Sequence, residues 1–281
     1  MEYTLRQTTN RKSHKSKLFL AFLFIPLAFI LLQYLYPKIF QENTESTEEQ
    51  INTSTEEIIP KPPKEEPIEV KEIFQDIDGQ LSYIAIDTRY ETKTNLPIVI
   101  YSHGSTYSVT SNPDNQLLKD LKLYGDAFVK KGYIFAASNQ HGDNWGNSYA
   151  IEDTRKLIEY IQSNFTSSKE IYLVGFSMGG LPTLNFAAKY PQNIVKIALL
   201  APTSYATSWN SERVSAIRNI PIKIWHGNKD VNVPYSMTTS LIARLKAYDK
   251  EVVLETIDGV GHWDVDTERI DDVLTYFQTT E

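Results

Sequence analysis

Residues 171–180 read "IYLVGFSMGG", an apolar run that ends in Gly175-Phe176-Ser177-Met178-Gly179. Consecutive apolar residues without alternation suit a strand buried on both faces. A helical period follows at 178–190, so Ser177 falls at a strand-to-helix junction. A serine between two glycines has two readings there. The turn is merely tight and its hydroxyl inert, or it holds one hydroxyl in an exposed, strained position. A nucleophile at such a junction takes a strained backbone against closely packed strands, and glycines on either side remove the clashes. The free N–H groups of the following helix favour negative charge beside the serine.

Outward from this stretch, the chain alternates strands and helices. Expected strands are 68–74, 81–87, 97–102, 133–138, 170–176, 195–201, 221–226 and 251–257. Runs such as "PIVIYS" and "KIALLA" have the unbroken apolar character of parallel strands. Helical periods lie at 114–131, 149–164, 178–190, 235–249 and 267–279. Only the first two strands lack a helix between them, and the turn signal Asp78-Gly79 separates them. The class is α/β, a mostly parallel eight-stranded sheet with an antiparallel start and flanking helices. There is no internal repeat.

The residues before 68 have a different composition. Residues 1–17 carry five Lys and Arg against Glu2, and 18–36, "LFLAFLFIPLAFILLQYLY", carry no charge. As a helix rising about 1.5 Å per residue, that run approaches the thickness of a hydrocarbon core. Pro26 would kink it without forbidding the span. The sequence therefore predicts a basic cytoplasmic tail (1–17), a transmembrane signal-anchor helix (18–36) and an extracytoplasmic remainder. A signal peptide would have a shorter apolar run and a small-residue cleavage site. No such site follows here; if residues 1–36 were cleaved the protein would be secreted. Residues 37–67, rich in Glu, Thr, Ser and Pro, read as a solvated spacer. The domain is 68–281.

Composition narrows the chemistry. The net charge of −7 argues against nucleic acid as a partner. With no cysteine there is no disulfide framework, thiol nucleophile or thiolate metal site. No cofactor or metal is implied.

A serine needs a base, and the base an orienting acid. The five histidines are His14, His103, His141, His226 and His262. His14 lies on the basic tail. His103 and His226 each precede a glycine at a strand end, where an imidazole often bonds backbone. His262, in the glycine-punctuated loop "DGVGHWD" between the last strand and last helix, is the candidate base. Asp230, in "NKDVNVP" after the strand "IPIKIW", is the candidate acid; its rival role is to cap the helix starting near Pro234. Asp258, Asp264 and Asp266 do not follow the right strand. His141 and Asp143, in "SNQHGDNWGNS", are too few for a metal site, and a polar loop ordered around Trp145 is the simpler account. Tyr107, Tyr205, Trp209 and Trp263 fall in loops near the proposed site, as an apolar pocket or as cover for the core.

Together "GFSMGG", "HGNKDVNVP" and "GVGHWD" make the chain resemble an α/β-hydrolase over residues 68–281. The first matches the G-x-S-x-G nucleophile elbow, the second the acid loop and the third the histidine loop. The resemblance implies a catalytic triad of Ser177, His262 and Asp230. It also implies an oxyanion hole from the N–H of Met178 and one from "YSHGSTYS", at Ser105. This stretch departs from the HGGG form of many lipases. Residues 203–219 are too few for a multi-helix cap, so the lid should be minimal and the site open. An open site suits soluble esters, or esters on surface polymers. Expected function is therefore carboxylic ester hydrolysis through an acyl-enzyme. A serine peptidase of the prolyl-oligopeptidase-like type and a non-catalytic surface binding protein are the alternatives.

Overall fold

The computed structural model describes residues 67–90 and 95–279. The expected tail, anchor helix and nearly all of the spacer lie outside these residues. Among the described residues no helix is long and apolar enough to cross a membrane.

Eight strands form one sheet: β1 (Val70–Ile77), β2 (Gln80–Asp87), β3 (Leu96–Ser102), β4 (Ile134–Ser138), β5 (Ser167–Phe176), β6 (Ile194–Leu200), β7 (Ile222–Gly227) and β8 (Val253–Ile257). Their order is β1-β2-β4-β3-β5-β6-β7-β8. The β1–β2 and β2–β4 pairs are antiparallel and the remaining five parallel, as the run of strands without a helix at the start required. Asp78 and Gly79 both take positive φ, 54° and 79°, which closes the β1–β2 hairpin in two residues.

The helices are α1 (Gln116–Val129), α2 (Ser148–Asn164), α3 (Gly180–Lys189), α4 (Ser211–Ala216), α5 (Tyr235–Lys246) and α6 (Ile270–Gln278). Three begin on an asparagine whose side chain accepts a first-turn backbone N–H that has no partner within the helix: Asn115 from Leu118, Asn147 from Ala150 and Asn210 from Arg213. The one-turn helix α4 was not expected from the sequence; it is too short for a period to register.

The unbroken apolar runs now have their reason. Along β3, Val99 and Tyr101 pack with α1 and α6, while Ile98 and Ile100 pack with α2, α3 and α5. Both faces are covered, so neither alternate position can be polar. Each such side chain stabilises the fold by about 1.5–3 kcal/mol relative to exposure. A sheet buried on both sides leaves its strand ends as the place for chemistry.

Candidate active site

β5 delivers Ser177. The residue takes φ 53°, in the left-handed region, a strain of roughly 1–3 kcal/mol that the surroundings must hold in place. They do so through the two flanking glycines. A Cβ on Gly175 would lie 2.6 Å from Thr183 Oγ1, and one on Gly179 would lie 2.0 Å from the carbonyl oxygen of Ser102. Any side chain at either position would push the elbow off β3 and α3. Thr203 N donates to Ser177 O at 2.8 Å, tying the turn to the loop after β6.

β7 delivers Asp230, and the loop after β8 delivers His262. All three side chains are buried. Asp230 Oδ1 accepts the N–H groups of Asn232 and Val233 at 2.9 and 2.8 Å. Its Oδ2 lies 2.7 Å from His262 Nδ1, and His262 Nε2 lies 2.9 Å from Ser177 Oγ. The acid therefore has one oxygen fixed by its own loop and turns the other to the His262 imidazole. It does not cap α5, whose N-terminal position is held by Pro234 without a side-chain bond.

Above Ser177 is a cleft of about 340 Å³, at the small end of ligand sites. Tyr107, Trp145, Tyr205 and Trp263 line it, together with the hydroxyl and amide side chains of Ser105, Thr106, Thr203 and Asn232. Trp145, Tyr205 and Trp263 are each about half exposed. No Lys, Arg, Asp or Glu side chain is among its lining residues. Gly104 lies against Ser177, a Cβ there falling 3.4 Å from Ser177 Cβ, and Ser105 follows it on the cleft wall. Met178 is fully buried behind the serine.

Other candidate residues are placed elsewhere. Trp209 is buried in the core with the Arg213 guanidinium 4.6 Å over its ring, and does not reach the cleft. The 140–147 loop is not ordered around Trp145. It is organised by the buried Asn144, which accepts from Gly146 N and donates to Gly142 O. His141 pairs with Asp153 at 2.6 Å, and Asp143 accepts from Thr106 N. Among the described residues no three metal-ligating side chains converge. His103 sits between the carbonyls of Gly104 and Asn139.

Two residues gain a place that sequence alone did not give them. His226 is fully buried, with Thr238 Oγ1 at 2.8 Å from Nδ1 and Val233 O at 3.0 Å from Nε2. That Nε2 is also 3.2 Å from Asp230 Oδ2. Burial holds the His226 imidazole below its usual pKa and so in the neutral form. Asp266 is buried four residues beyond His262 and accepts hydrogen bonds from Tyr101 and Tyr124. Burial pushes its carboxyl up to about 7.

With this geometry in place, relatives can be compared. A family model described as phospholipase/carboxylesterase matches residues 134–281, a span that includes Ser177, Asp230 and His262. The chain belongs to the phospholipase/carboxylesterase family of α/β-hydrolases. Est1E from Butyrivibrio proteoclasticus superposes with a TM-score of 0.55 at 17% identity, over 73% of this chain and 98% of its own. A putative dienelactone hydrolase from Klebsiella pneumoniae gives 0.60 at 15%, over 76% and 100%. Both likenesses concern the fold. Among curated proteins, a 2-hydroxy-6-oxononadienedioate/2-hydroxy-6-oxononatrienedioate hydrolase of Comamonas testosteroni is 31% identical over 85 residues, 29% of this chain and 30% of that protein. A homoserine O-acetyltransferase of Thermobifida fusca is 30% identical over 93 residues, 31% of this chain and 24% of that protein. The chain thus spans less than a third of the length of these curated relatives.

Proposed function

We propose that this carboxylesterase-family protein hydrolyses uncharged carboxylic esters through an acyl-enzyme on Ser177. The observation that carries the reading is the continuous chain from Asp230 Oδ2 to His262 to Ser177 Oγ, at 2.7 and 2.9 Å, on the floor of an open cleft. Ser177 Oγ attacks the ester carbonyl carbon as its proton passes to His262 Nε2. Asp230 Oδ2 accepts the Nδ1–H and stabilises the imidazolium. The tetrahedral oxyanion is received by the N–H groups of Met178 and Ser105, each such donor contributing about 2.7–4 kcal/mol to the transition state. Collapse expels the alcohol, which takes the proton from Nε2. Water then attacks the acyl carbon, gives a proton to His262, and the acid departs as Ser177 recovers its own.

The lining of the cleft supports an uncharged substrate. The oxononadienedioate hydrolase, by its name, takes a dicarboxylate, yet no cationic side chain lines this cleft to meet one. A putative dipeptidyl aminopeptidase IV from Bacteroides ovatus shares the fold at 16% identity over 35% of its chain, with a TM-score of 0.58. A free peptide N-terminus is an ammonium, and no acidic side chain lines the cleft to receive it. The uncharged run at 18–36 behind a basic tail supports a membrane-anchored domain facing away from the cytoplasm; alkaline extraction of membranes would release the full-length protein if that is wrong.

The experiment is a panel of p-nitrophenyl acetate and butyrate beside aminoacyl and peptidyl amides, with wild type and Ser177→Ala. Ester turnover lost by several powers of ten in the variant is expected. Equal turnover in both would end the proposal, amide preference would favour a peptidase, and no turnover of either would favour a binding protein.

A further inference from the structure

His262 sits near the middle of the loop between β8 and α6, so something must fix that loop at both ends. Its upstream end is stitched to the acid loop. Asn228 N donates to Ile257 O at 3.1 Å and Lys229 N to Val260 O at 3.0 Å. Gly259 N donates to Asn228 Oδ1 at 2.9 Å, and Asn228 Nδ2 to Asp258 Oδ1 at 2.7 Å. These bonds set the loop's distance from Asp230 but leave everything past Val260 to be positioned from the other side.

On the downstream side lies Asp266. Its two oxygens accept from Tyr101 Oη at 3.1 and 2.9 Å, and its Oδ1 also from Tyr124 Oη at 2.8 Å. The Tyr124 hydroxyl lies 3.2 Å from the Asp266 carbonyl oxygen as well. Both rings are wholly buried, with centroids 4.9 Å apart. Tyr101 is the penultimate residue of β3, just before Ser102-His103-Gly104-Ser105 on the cleft wall. One carboxyl therefore joins three separate parts: the end of the strand that leads to the Ser105 loop, helix α1, and the histidine loop. A buried carboxyl is costly unless hydrogen-bonded, and aliphatic residues would fill this core more simply.

We propose that Asp266 is a positioning residue, which with the hydroxyls of Tyr101 and Tyr124 fixes the downstream end of the histidine loop and so the placement of His262 over Ser177. This rests on the reading of His262 as the general base. Displacing a catalytic group by about 1 Å can cost ~100-fold in rate, so a loop held only at its upstream end would lower kcat more than substrate affinity. Asparagine can still accept the tyrosine hydroxyls; alanine cannot.

The test uses the full chain with p-nitrophenyl acetate, and the rate at which a fluorophosphonate labels Ser177. Asp266→Ala is expected to lower kcat and labelling rate together by about 10-fold or more, with KM within about threefold. Asp266→Asn should recover most of that loss. Tyr124→Phe removes one hydroxyl that does not line the cleft and should lower both rates by an intermediate factor; it decides the question if Asp266→Ala does not fold. Leu245→Ala, in the core on the other face of the sheet, should lower the melting temperature without lowering kcat at 25 °C. Wild-type kcat and labelling in Asp266→Ala or Tyr124→Phe would overturn the proposal, and so would an equal loss of kcat in Leu245→Ala. An unlabelled wild type that turns over no ester would instead remove the general-base reading and this proposal with it.

Discussion

Gly227, the last residue of β7, lies so close to the histidine loop that a Cβ on it would sit 2.2 Å from the carbonyl oxygen of Val260. The clash is with backbone, which cannot swing aside. Gly227→Ala must therefore part the acid loop from the histidine loop. The expected result is a stability loss of about 1–3 kcal/mol, with a fall in kcat larger than that loss explains at a temperature where the variant is folded. Thermal melts and steady-state kinetics on the same preparation check this. Wild-type kcat in the variant would mean that the two loops are not held by this approach.

The cleft's exposed rings set a second expectation. Trp263 follows His262 directly and packs edge-on to it, ring centroids 5.1 Å apart, with Tyr107 edge-on at 6.4 Å. In the proposed mechanism His262 hands its proton to the leaving alcohol, so Trp263 should flank that part of the substrate. Trp263→Ala should lower kcat/KM for aryl acetates relative to ethyl acetate by roughly 2–10-fold, the size of one aromatic pair. An unchanged ratio would assign the ring to covering the core.

The lid segment gives a third. Arg213 of α4 donates to Asn185 Oδ1 of α3 at 2.6 Å, and its Nε-bearing head stacks on buried Trp209, so the helix is fastened to the body of the domain. With this segment fastened, turnover of a short-chain ester should rise smoothly through its solubility limit. A jump in rate at that limit would reveal a lid movement.

Asp266 links stability to pH. Burial, with Asp120 on α1 adding its charge, raises its carboxyl from 3.8 to about 7 against the lowering effect of the Tyr124 and Tyr101 hydroxyls. An acid with a raised folded-state pKa holds its proton more tightly when folded. Its stabilisation is complete below about 3.8, is lost as pH rises through about 7, and is flat beyond. The melting temperature should therefore fall between about pH 4 and 7 and level off above, and Asp266→Asn should shallow that fall. Melts at unit pH steps test this; an identical slope in the variant would contradict it.

These residues also mark what could be read in the sequence. Ser177 stood out because its glycines, its apolar strand and the helix after it are contiguous. Asp230 and His262 followed because each occupies a loop after an expected strand. Unbroken apolar runs, buried on both faces, made β3 to β7 legible, with ends shifted by a residue or a few. Asp266 was dismissed because only its place after β8 was visible; its partners are 165 and 142 residues away, and no local pattern announces such a pairing. Trp145 was misread, and Trp209 left open between pocket and core, for the same reason. Whether an indole in a loop turns outward or into the core depends on neighbours from other elements, here the cleft for one and Arg213 for the other.

The central claim is that Ser177 is activated by His262. The most direct measurement is intact-mass and peptide mapping of the full chain after a fluorophosphonate, in wild type and in His262→Ala. The account predicts one adduct, on Ser177, formed in wild type and slowed by several powers of ten in the variant. No adduct on Ser177 in the folded wild type, or equal labelling of both proteins, would contradict it.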